Sequence, residues 1–229
     1  MRKWLKTIWD NYRHGFWALL YMAAYLAWFF WLEGRVRVRY FHMHTPLDEM
    51  IPFCEVFAVP YMLWYLYVIL PVFLFVFKDK KAYIRTFSFL AGGMTVCMVI
   101  YTFFPTIQTL RPVFFERDNF FTGLVEFIYN ADNAANVCPS IHVYNSIGVH
   151  IGVCKSDWLK GKPWIKYGSL ILCVLICVST VFIKQHSITD GLCAVALACM
   201  MYLVVYRPHR QSDCSVQRQW ELDAEKEEP

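Results

Sequence analysis

Charged side chains are scarce in this chain. Its 229 residues include 22 Lys or Arg and 18 Asp or Glu, which together make up 17% of the sequence, whereas 58% of the residues are hydrophobic and the mean hydropathy is +0.35. A typical soluble domain carries about 25% charged residues. The composition therefore excludes an ordinary soluble domain of this size, and no nucleic-acid partner is expected.

Several other features are missing. The sequence has no internal repeat and no low-complexity tract, which excludes a repeat architecture or a linker-like chain. It has no Cys-x-x-Cys pair, so a cysteine-based metal site is not expected, and most of its nine cysteines lie in apolar runs. No small-residue cleavage site follows the first apolar run, which indicates a retained anchor. A disulfide between Cys54 and Cys138 is a minor alternative.

Long apolar runs are what the chain has instead. A bilayer core requires about 20 helical residues, with about 17–25 as the usual range. Six runs predict an all-α, integral-membrane six-helix bundle: 16–32, 57–77, 86–104, 139–154, 168–183 and 191–206. The fourth run is the weakest, because it contains His142, Asn145 and His150, and five spans is the alternative. Residues 1–206 are interpreted as one membrane domain and 207–229 as a polar cytoplasmic tail.

The distribution of Lys and Arg predicts an orientation. With six spans, sixteen of the 22 basic residues fall on the side of both termini and six on the other side. Cytoplasmic loops accumulate Lys and Arg. The pattern therefore predicts a multi-pass cell-membrane protein with both termini in the cytoplasm. The connections after the first, third and fifth spans then lie on the extracytoplasmic face.

The connection between the last two predicted spans contains a candidate nucleophile. His186 and Asp190 are four residues apart, the spacing of neighbours on one face of a helix. A carboxylate at that distance can hold one imidazole nitrogen, fix the tautomer and make the other nitrogen more nucleophilic. Lys184 adds a positive charge close by.

Two further stretches on the same predicted face suit an anion. Pro139 and Ser140 predict a helix start, where free backbone N–H groups and the helix dipole favour phosphate. His142 follows within the first turn and can donate a proton into the same space. Arg111, after the third span, supplies a planar donor fork for phosphate oxygens.

Taken together, these side chains predict phosphoryl transfer through a phosphohistidine. His186 attacks phosphorus and His142 protonates the leaving alkoxide, while Arg111, Ser140 and Lys184 bind the phosphate. A second acceptor then takes the phosphoryl group from His186.

Two other interpretations of these residues stay open. His142, His186 and Asp190 also match a metal site of two histidines and one carboxylate, although nearby cations would repel a divalent ion. Charged residues in a helix bundle can also line a transport path, which would continue through the membrane midplane. His150 is the strongly polar residue deeper along the fourth run.

The same residues resemble the three motifs of the type 2 phosphatidic acid phosphatase (PAP2) superfamily, KxxxxxxRP, PSGH and SRxxxxxHxxxD. The order is kept, and so is the spacing of the third motif, over about residues 50–206. The matching positions are Arg111-Pro112, then Pro139-Ser140-Ile141-His142, then Ser179-Thr180 with His186 and Asp190. The motif residues of this sequence are most similar to those of the branch of inositol phosphorylceramide synthases and their bacterial relatives.

The departures from these motifs lie in the phosphate cradle. Phe104 stands where the first motif has lysine, Ile141 replaces glycine in the second, and Thr180 replaces arginine in the third. Two cations of the family pattern are therefore missing. Lys184 is the candidate substitute for one of them.

The resemblance implies a fold, a set of roles and a substrate class. It implies a six-helix bundle with His186 as nucleophile, Asp190 as its orienting carboxylate, His142 as general acid, and no metal or cofactor. The expected function is a membrane lipid phosphatase acting on a lipid phosphate such as phosphatidic acid or a polyprenyl pyrophosphate. The alternatives are a phosphotransferase that moves a phospho-headgroup to an alcohol acceptor, and a non-catalytic lipid-binding or transport protein. The oligomeric state is left open.

Overall fold

The structure, a computed structural model, describes the backbone of residues 2–35 and 39–207, and side chains from residue 15 onward within those ranges. The tail predicted over 207–229 lies outside the described residues, apart from Arg207. The helices are α1 (Arg2–Glu33), α2 (Pro46–Met50), α3 (Ala58–Lys78), α4 (Lys80–Phe103), α5 (Phe120–Ala131), α6 (Ile141–Lys155), α7 (Pro163–Phe182) and α8 (Ile188–Val205). A 3-10 turn, Glu55–Phe57, leads into α3, and the short strands β1 (Phe41–His42) and β2 (Thr106–Ile107) pair in parallel.

Polar residues at the N-caps determine where four of these helices begin. Asp79, Asn119, Ser140 and Ser187 precede α4, α5, α6 and α8, and each side chain accepts a backbone N–H from the first turn. Such an acceptor satisfies an N–H group that has no partner inside the helix. The helix start predicted at 139–140 is confirmed, with Ser140 as the cap.

Five helical segments in the described part of the chain are long and apolar enough to span a membrane. They are Gly15–Glu33, Glu55–Lys78, Lys80–Phe103, Pro163–Phe182 and Ile188–Val205. The chain is therefore an all-α protein with the character of a multi-pass membrane protein. The fourth predicted span also forms a helix, α6, but its 15 residues give about 22 Å of length. A sixth crossing of the bilayer stays a prediction.

Helix α6 lies in the interior of the bundle. It packs against α3, α4, α7 and α8, and its buried residues include His142, Asn145 and Ser146. Small residues let α4 approach closely, since a Cβ atom on Gly148 would lie 2.6 Å from the Phe89 ring. The polar character of this run therefore has a physical reason, because α6 faces other helices on most of its circumference.

The helices run alternately up and down, so that their connections collect at two ends. One end, here called the site end, comprises residues 39–57, 104–140 and 183–187, and it includes both short strands, α2 and α5. The other end, the basic end, comprises 78–80, 155–163 and 206–207. There, the Asp79 carboxylate accepts hydrogen bonds from Ser156 Oγ at 2.8 Å and Trp158 N at 3.2 Å.

The disulfide alternative for Cys54 and Cys138 is wrong, since both are free thiols. Different elements hold the two residues. The N–H of Cys54 donates to Phe182 O at 3.0 Å, whereas the N–H of Cys138 donates to Thr106 Oγ1 at 3.1 Å.

The close contact between α4 and α6 at Gly93 generates a first prediction. A Cβ atom there would lie 1.9 Å from Tyr144, whose hydroxyl donates to Phe89 O at 2.7 Å. We expect Gly93→Ala to lower the free energy of unfolding by about 1–3 kcal/mol through overpacking. Thermal unfolding in detergent measures this. Gly168→Ala is the matched control, because a Cβ on Gly168 meets nothing within 4 Å; equal midpoints for the two variants would contradict the packing described here.

Candidate active site

His186 and Asp190 form a contact at the site end. His186 Nδ1 lies 3.3 Å from Asp190 Oδ2, and the side chains are 7% and 0% exposed. The contact does not arise on one helical face, as the spacing suggested, because His186 lies in the turn before α8. Asp190 is the third residue of α8, and its Oδ2 accepts the N–H of Ser187 at 2.9 Å, which turns the carboxylate back toward His186.

His142 contacts the other ring nitrogen of His186. The Nδ1 atom of His142 lies 3.4 Å from His186 Nε2. Two aromatic rings of α3 enclose the imidazole, with centroids at 4.5 Å for Tyr61 and 4.4 Å for Trp64. The first turn of α6 and the first two turns of α3 therefore fix the position of His142.

The three side chains define a direction for protons. An Asp190 carboxylate accepts hydrogen bonds, so it favours the His186 tautomer that carries its proton on Nδ1. The lone pair of His186 Nε2 then faces His142 Nδ1. Both contacts are long for hydrogen bonds, as they often are in active sites without substrate. A nucleophilic nitrogen and a proton donor thus face the same space.

Ser140 connects the two helix starts that carry these residues. Its hydroxyl accepts the N–H of Val143 at 3.4 Å, while its own N–H donates to Asp190 O at 3.1 Å. Ser140 is fully buried. It therefore holds the N-terminus of α6 against the first turn of α8, and its role as a phosphate ligand stays a prediction.

Arg111 lies on the α5 side of the site. Its guanidinium donates to the backbone oxygens of Tyr129 at 3.2 Å and Asp132 at 2.6 Å and stacks over the Tyr129 ring at 4.4 Å. Burial lowers the pKa of Arg111, and the charge of Asp132 opposes that shift. The Asp132 carboxylate in turn accepts the hydroxyl of Tyr61 at 3.0 Å. Since Tyr61 also stacks on His142, one side chain separates Arg111 and Asp132 from the histidines.

Lys184 does not stand free at the site. Its ammonium donates to Asp48 O at 2.6 Å and Ile51 O at 2.5 Å, and its backbone adopts the left-handed region with φ +55°. Burial lowers the pKa of Lys184, and Asp48 opposes that shift. Two of the three ammonium protons are thus used to hold residues 48–51. Its role as a substitute phosphate ligand stays a prediction. In that role, only the third ammonium proton is free to bind a phosphate oxygen.

The Asp48 carboxylate, which the sequence did not reveal, caps α8 from a distant segment. It is fully buried and accepts hydrogen bonds from Ser187 Oγ at 2.7 Å, Ile188 N at 2.8 Å and Thr45 N at 2.7 Å. Burial raises the pKa of Asp48, but these hydrogen bonds outweigh burial and leave the pKa below its ordinary 3.8. We call residues 45–51 the 45–51 clamp, because they bind α8 through the Asp48 carboxylate and the Lys184 ammonium through two carbonyl oxygens.

Thr180 takes a backbone role where the family pattern has arginine. Its carbonyl oxygen accepts the N–H groups of both Gln185 and His186, at 2.9 and 3.0 Å, and its hydroxyl donates to Cys177 O in the preceding turn. Phe104, at the position of the family's lysine, is an exposed residue. Neither position supplies a cation to the site.

Five further residues that contact the site were not predicted from the sequence, because aromatic, amide and acidic residues in such positions have no distinguishing local signature. They are Tyr61, Trp64, Gln108, Asp132 and Gln185.

A shared metal ion would require His142, His186 and Asp190 to converge on one point. Instead, Asp190 and His142 contact opposite nitrogens of His186, which arranges the three side chains in a row. Within residues 15–35 and 39–207, no group of three or more His, Cys, Asp or Glu side chains is placed to hold a metal ion.

Comparisons with known proteins add no assignment. The chain matches no protein-family model, no curated protein and no solved structure. The interpretation of the site therefore rests on its residues, their geometry and the motif resemblance.

The contacts of Lys184 predict two separable contributions to stability. Lys184→Ala removes the ammonium contacts, at about 2 kcal/mol, and keeps the left-handed backbone cost of about 1 kcal/mol that the wild-type lysine also carries. Lys184→Gly removes the same contacts but relieves that backbone cost. We therefore expect thermal midpoints in the order wild type, Lys184→Gly, Lys184→Ala. A Lys184→Ala protein as stable as the wild type would show that the ammonium contacts contribute nothing.

The Asp48 carboxylate predicts a pH dependence of stability. Its pKa lies below 3.8 in the folded state, so its contribution is complete above about pH 4 and is lost as the pH falls through the folded-state pKa. We expect the wild-type unfolding midpoint to decrease more between pH 6 and pH 3 than that of Asp48→Asn. The exposed Asp118→Asn serves as control and should keep the wild-type dependence. Equal slopes for wild type and Asp48→Asn would refute this role.

Proposed function

We propose that this protein is an integral-membrane enzyme that hydrolyses a lipid phosphate through a phosphohistidine at His186. The observation that supports this most strongly is the row of Asp190, His186 and His142. The Asp190 carboxylate contacts one ring nitrogen of His186, and His142 contacts the other. This arrangement provides an oriented nucleophile and a proton donor within reach of the same phosphorus atom.

The reaction proceeds in two steps. First, His186 Nε2 forms a bond to phosphorus, the bond from phosphorus to the lipid oxygen breaks, and His142 gives its proton to the leaving alkoxide. Second, water attacks the phosphohistidine, His142 takes the proton from that water, and the bond between Nε2 and phosphorus breaks. Asp190 stabilises the positive charge on the His186 ring during the first step.

Phosphate binding relies on few groups in this proposal. The N-terminus of α6 presents backbone N–H groups and its dipole beside His142. Arg111, held over the Tyr129 ring, is the guanidinium that the motif resemblance assigns to phosphate binding. Lys184 contributes to phosphate binding only through its third ammonium proton, because the other two bind carbonyl oxygens.

The proposed location is the extracytoplasmic face of the cell membrane. With the predicted spans, sixteen of the 22 Lys and Arg residues lie on the side of the basic end and of both termini, and six lie on the side of the site end. Because positive residues accumulate in cytoplasmic loops, the basic end and both termini are assigned to the cytoplasm. Substrate then reaches His186 from the outer leaflet.

A second candidate function is transfer of a phospho-headgroup to an alcohol acceptor. Its support is the burial of the two histidines, since His186 is 5% and His142 9% exposed. A nucleophile so well shielded from water suits an acceptor that is itself a lipid alcohol. Non-catalytic lipid binding or transport is the alternative of another class, and turnover separates it from both enzyme functions.

One set of assays tests the proposed function. Purified protein is supplied with phosphatidic acid, a polyprenyl pyrophosphate or phosphatidylinositol, with EDTA present, and release or exchange of the phosphate group is measured. We expect His186→Ala to abolish turnover and His142→Ala to slow it by about 10²–10⁴-fold, the usual contribution of a general acid. His150→Ala, two turns deeper on α6, should keep wild-type activity.

The contrary outcomes are specific. Activity that survives His186→Ala removes the proposed nucleophile. Activity that disappears with EDTA favours the metal alternative, and transfer to an added alcohol without phosphate release favours the transferase. Absence of turnover with every substrate leaves the binding or transport alternative.

A further inference from the structure

The cations assigned to phosphate binding both lie next to carboxylates. Lys184 contacts the backbone of Asp48, whose carboxylate caps α8, and Arg111 contacts the backbone of Asp132. These two acids differ in what their carboxylates do. The Asp48 carboxylate is fully used by hydrogen bonds to α8 and Thr45. The Asp132 carboxylate instead accepts the hydroxyl of Tyr61, whose ring packs against His142.

Neutral donors hold the Asp132 carboxylate in place. Its Oδ2 accepts the Tyr61 hydroxyl at 3.0 Å and Gln185 Nε2 at 3.0 Å. Tyr61 and Gln185 are each 1% exposed, and Gln185 directly precedes His186. The negative charge is therefore fixed beside the catalytic turn, and the groups that fix it bring no positive charge of their own.

Arg111 and Asp132 form a charge-balanced pair. The guanidinium donates to the main-chain oxygen of Asp132, and the Asp132 carboxylate attracts it through space. The attraction that Arg111 alone would exert on a phosphate is thereby offset. With Phe104 and Thr180 at the positions of the family's other two cations, no described residue at those positions restores the missing charge.

We infer that Asp132 is a specificity-determining residue, which offsets the charge of Arg111 so that the site favours a singly charged phosphodiester over a doubly charged phosphomonoester. The physical reason is Coulombic, since a fixed negative charge repels a dianion more strongly than a monoanion of the same shape. A phosphomonoester has a second pKa of about 6 and is largely dianionic at pH 8. A phosphodiester keeps one charge.

This inference deepens the proposed function and rests on it for the ligand class, a lipid phosphate. It also relates the two candidate activities. A preference for a phosphodiester donor favours transfer or cleavage of a phospho-headgroup, whereas a preference for a monoester would favour simple dephosphorylation.

The test compares two lipids that differ in one methyl group. Phosphatidic acid is the monoester probe and phosphatidylmethanol the diester probe, and both are titrated at pH 8 against the full-length protein in detergent. All proteins carry His186→Ala, so that neither probe is consumed. The quantity measured is the ratio of the two dissociation constants.

We expect the protein with Asp132 to bind phosphatidylmethanol at least as tightly as phosphatidic acid. Asp132→Asn should shift the ratio about tenfold toward phosphatidic acid, the order expected for one unit of charge near the surface of a protein. Asp132→Glu keeps the charge and should keep the ratio. The exposed Asp118→Asn, on the same end of the bundle, removes a charge elsewhere and should also leave the ratio unchanged.

Several results would overturn the inference. They are tighter binding of phosphatidic acid by the protein with Asp132, no binding of either probe, an Asp132→Asn ratio unchanged within twofold, or an equal shift in Asp132→Glu. The first two are measured without any change at Asp132, so they decide the matter even when Asp132→Asn fails to fold. The expected shift in binding without turnover by wild type on any lipid phosphate would contradict the proposed function alone. Turnover with an unshifted ratio would contradict this inference alone.

Discussion

The turn that carries His186 depends on one constraint, which is that polar groups buried at the end of an apolar helix bundle must find hydrogen-bond partners. Residues 183–187 contain a lysine, a glutamine, a histidine and a serine, all buried. Thr180 O accepts hydrogen bonds from the N–H groups of Gln185 and His186. Carbonyl oxygens of residues 48 and 51 accept the Lys184 ammonium, and the Asp48 carboxylate accepts the Ser187 hydroxyl and the first N–H of α8. Partners from two parts of the chain, residue 180 and residues 48–51, thus fix the position of His186.

The 45–51 clamp also explains how the candidate site is held in place, although it lies between two long apolar helices. The segment between α1 and α3 contributes none of the three candidate side chains, yet it fixes the backbone that carries His186 and the first turn that carries Asp190. Ser140 then joins that turn to the start of α6, where His142 stands. Two helix N-termini therefore converge on one space. The first N–H groups of α8 are already bonded to Asp48 and Ser187, so the start of α6 is the helix end whose N–H groups and dipole could attract an anion.

The sequence predicted the parts of this site that have a local signature. The four-residue separation of His186 and Asp190 predicted their proximity, although the contact arises from the turn before α8 and not from one helical face. The predicted topology placed His142 at the same end of the bundle, where it contacts His186. Asp48 and Asp132 could not be predicted in this way, because Asp48 reaches Ser187 across 139 residues and Asp132 reaches Gln185 across 53. Six of the helices were predicted from apolar runs, whereas α2 and α5 were not. The short length of α6 and the carbonyl contacts of Lys184 follow from packing, which single-sequence patterns do not contain.

The polar residues deeper in the bundle bear on the choice between an enzyme and a transport path. His150 Nδ1 lies 3.1 Å from Ser169 Oγ, which lies 2.7 Å from the Tyr67 hydroxyl, and His150 Nε2 lies 3.5 Å from Cys154 Sγ. These side chains satisfy one another between α3, α6 and α7, as a packing network does. A path for a charged substrate would need polar groups that exchange partners along its length. The grouping of His142, His186 and Asp190 at one end, with a self-satisfied network below it, is the arrangement expected of a site that takes its substrate from one leaflet.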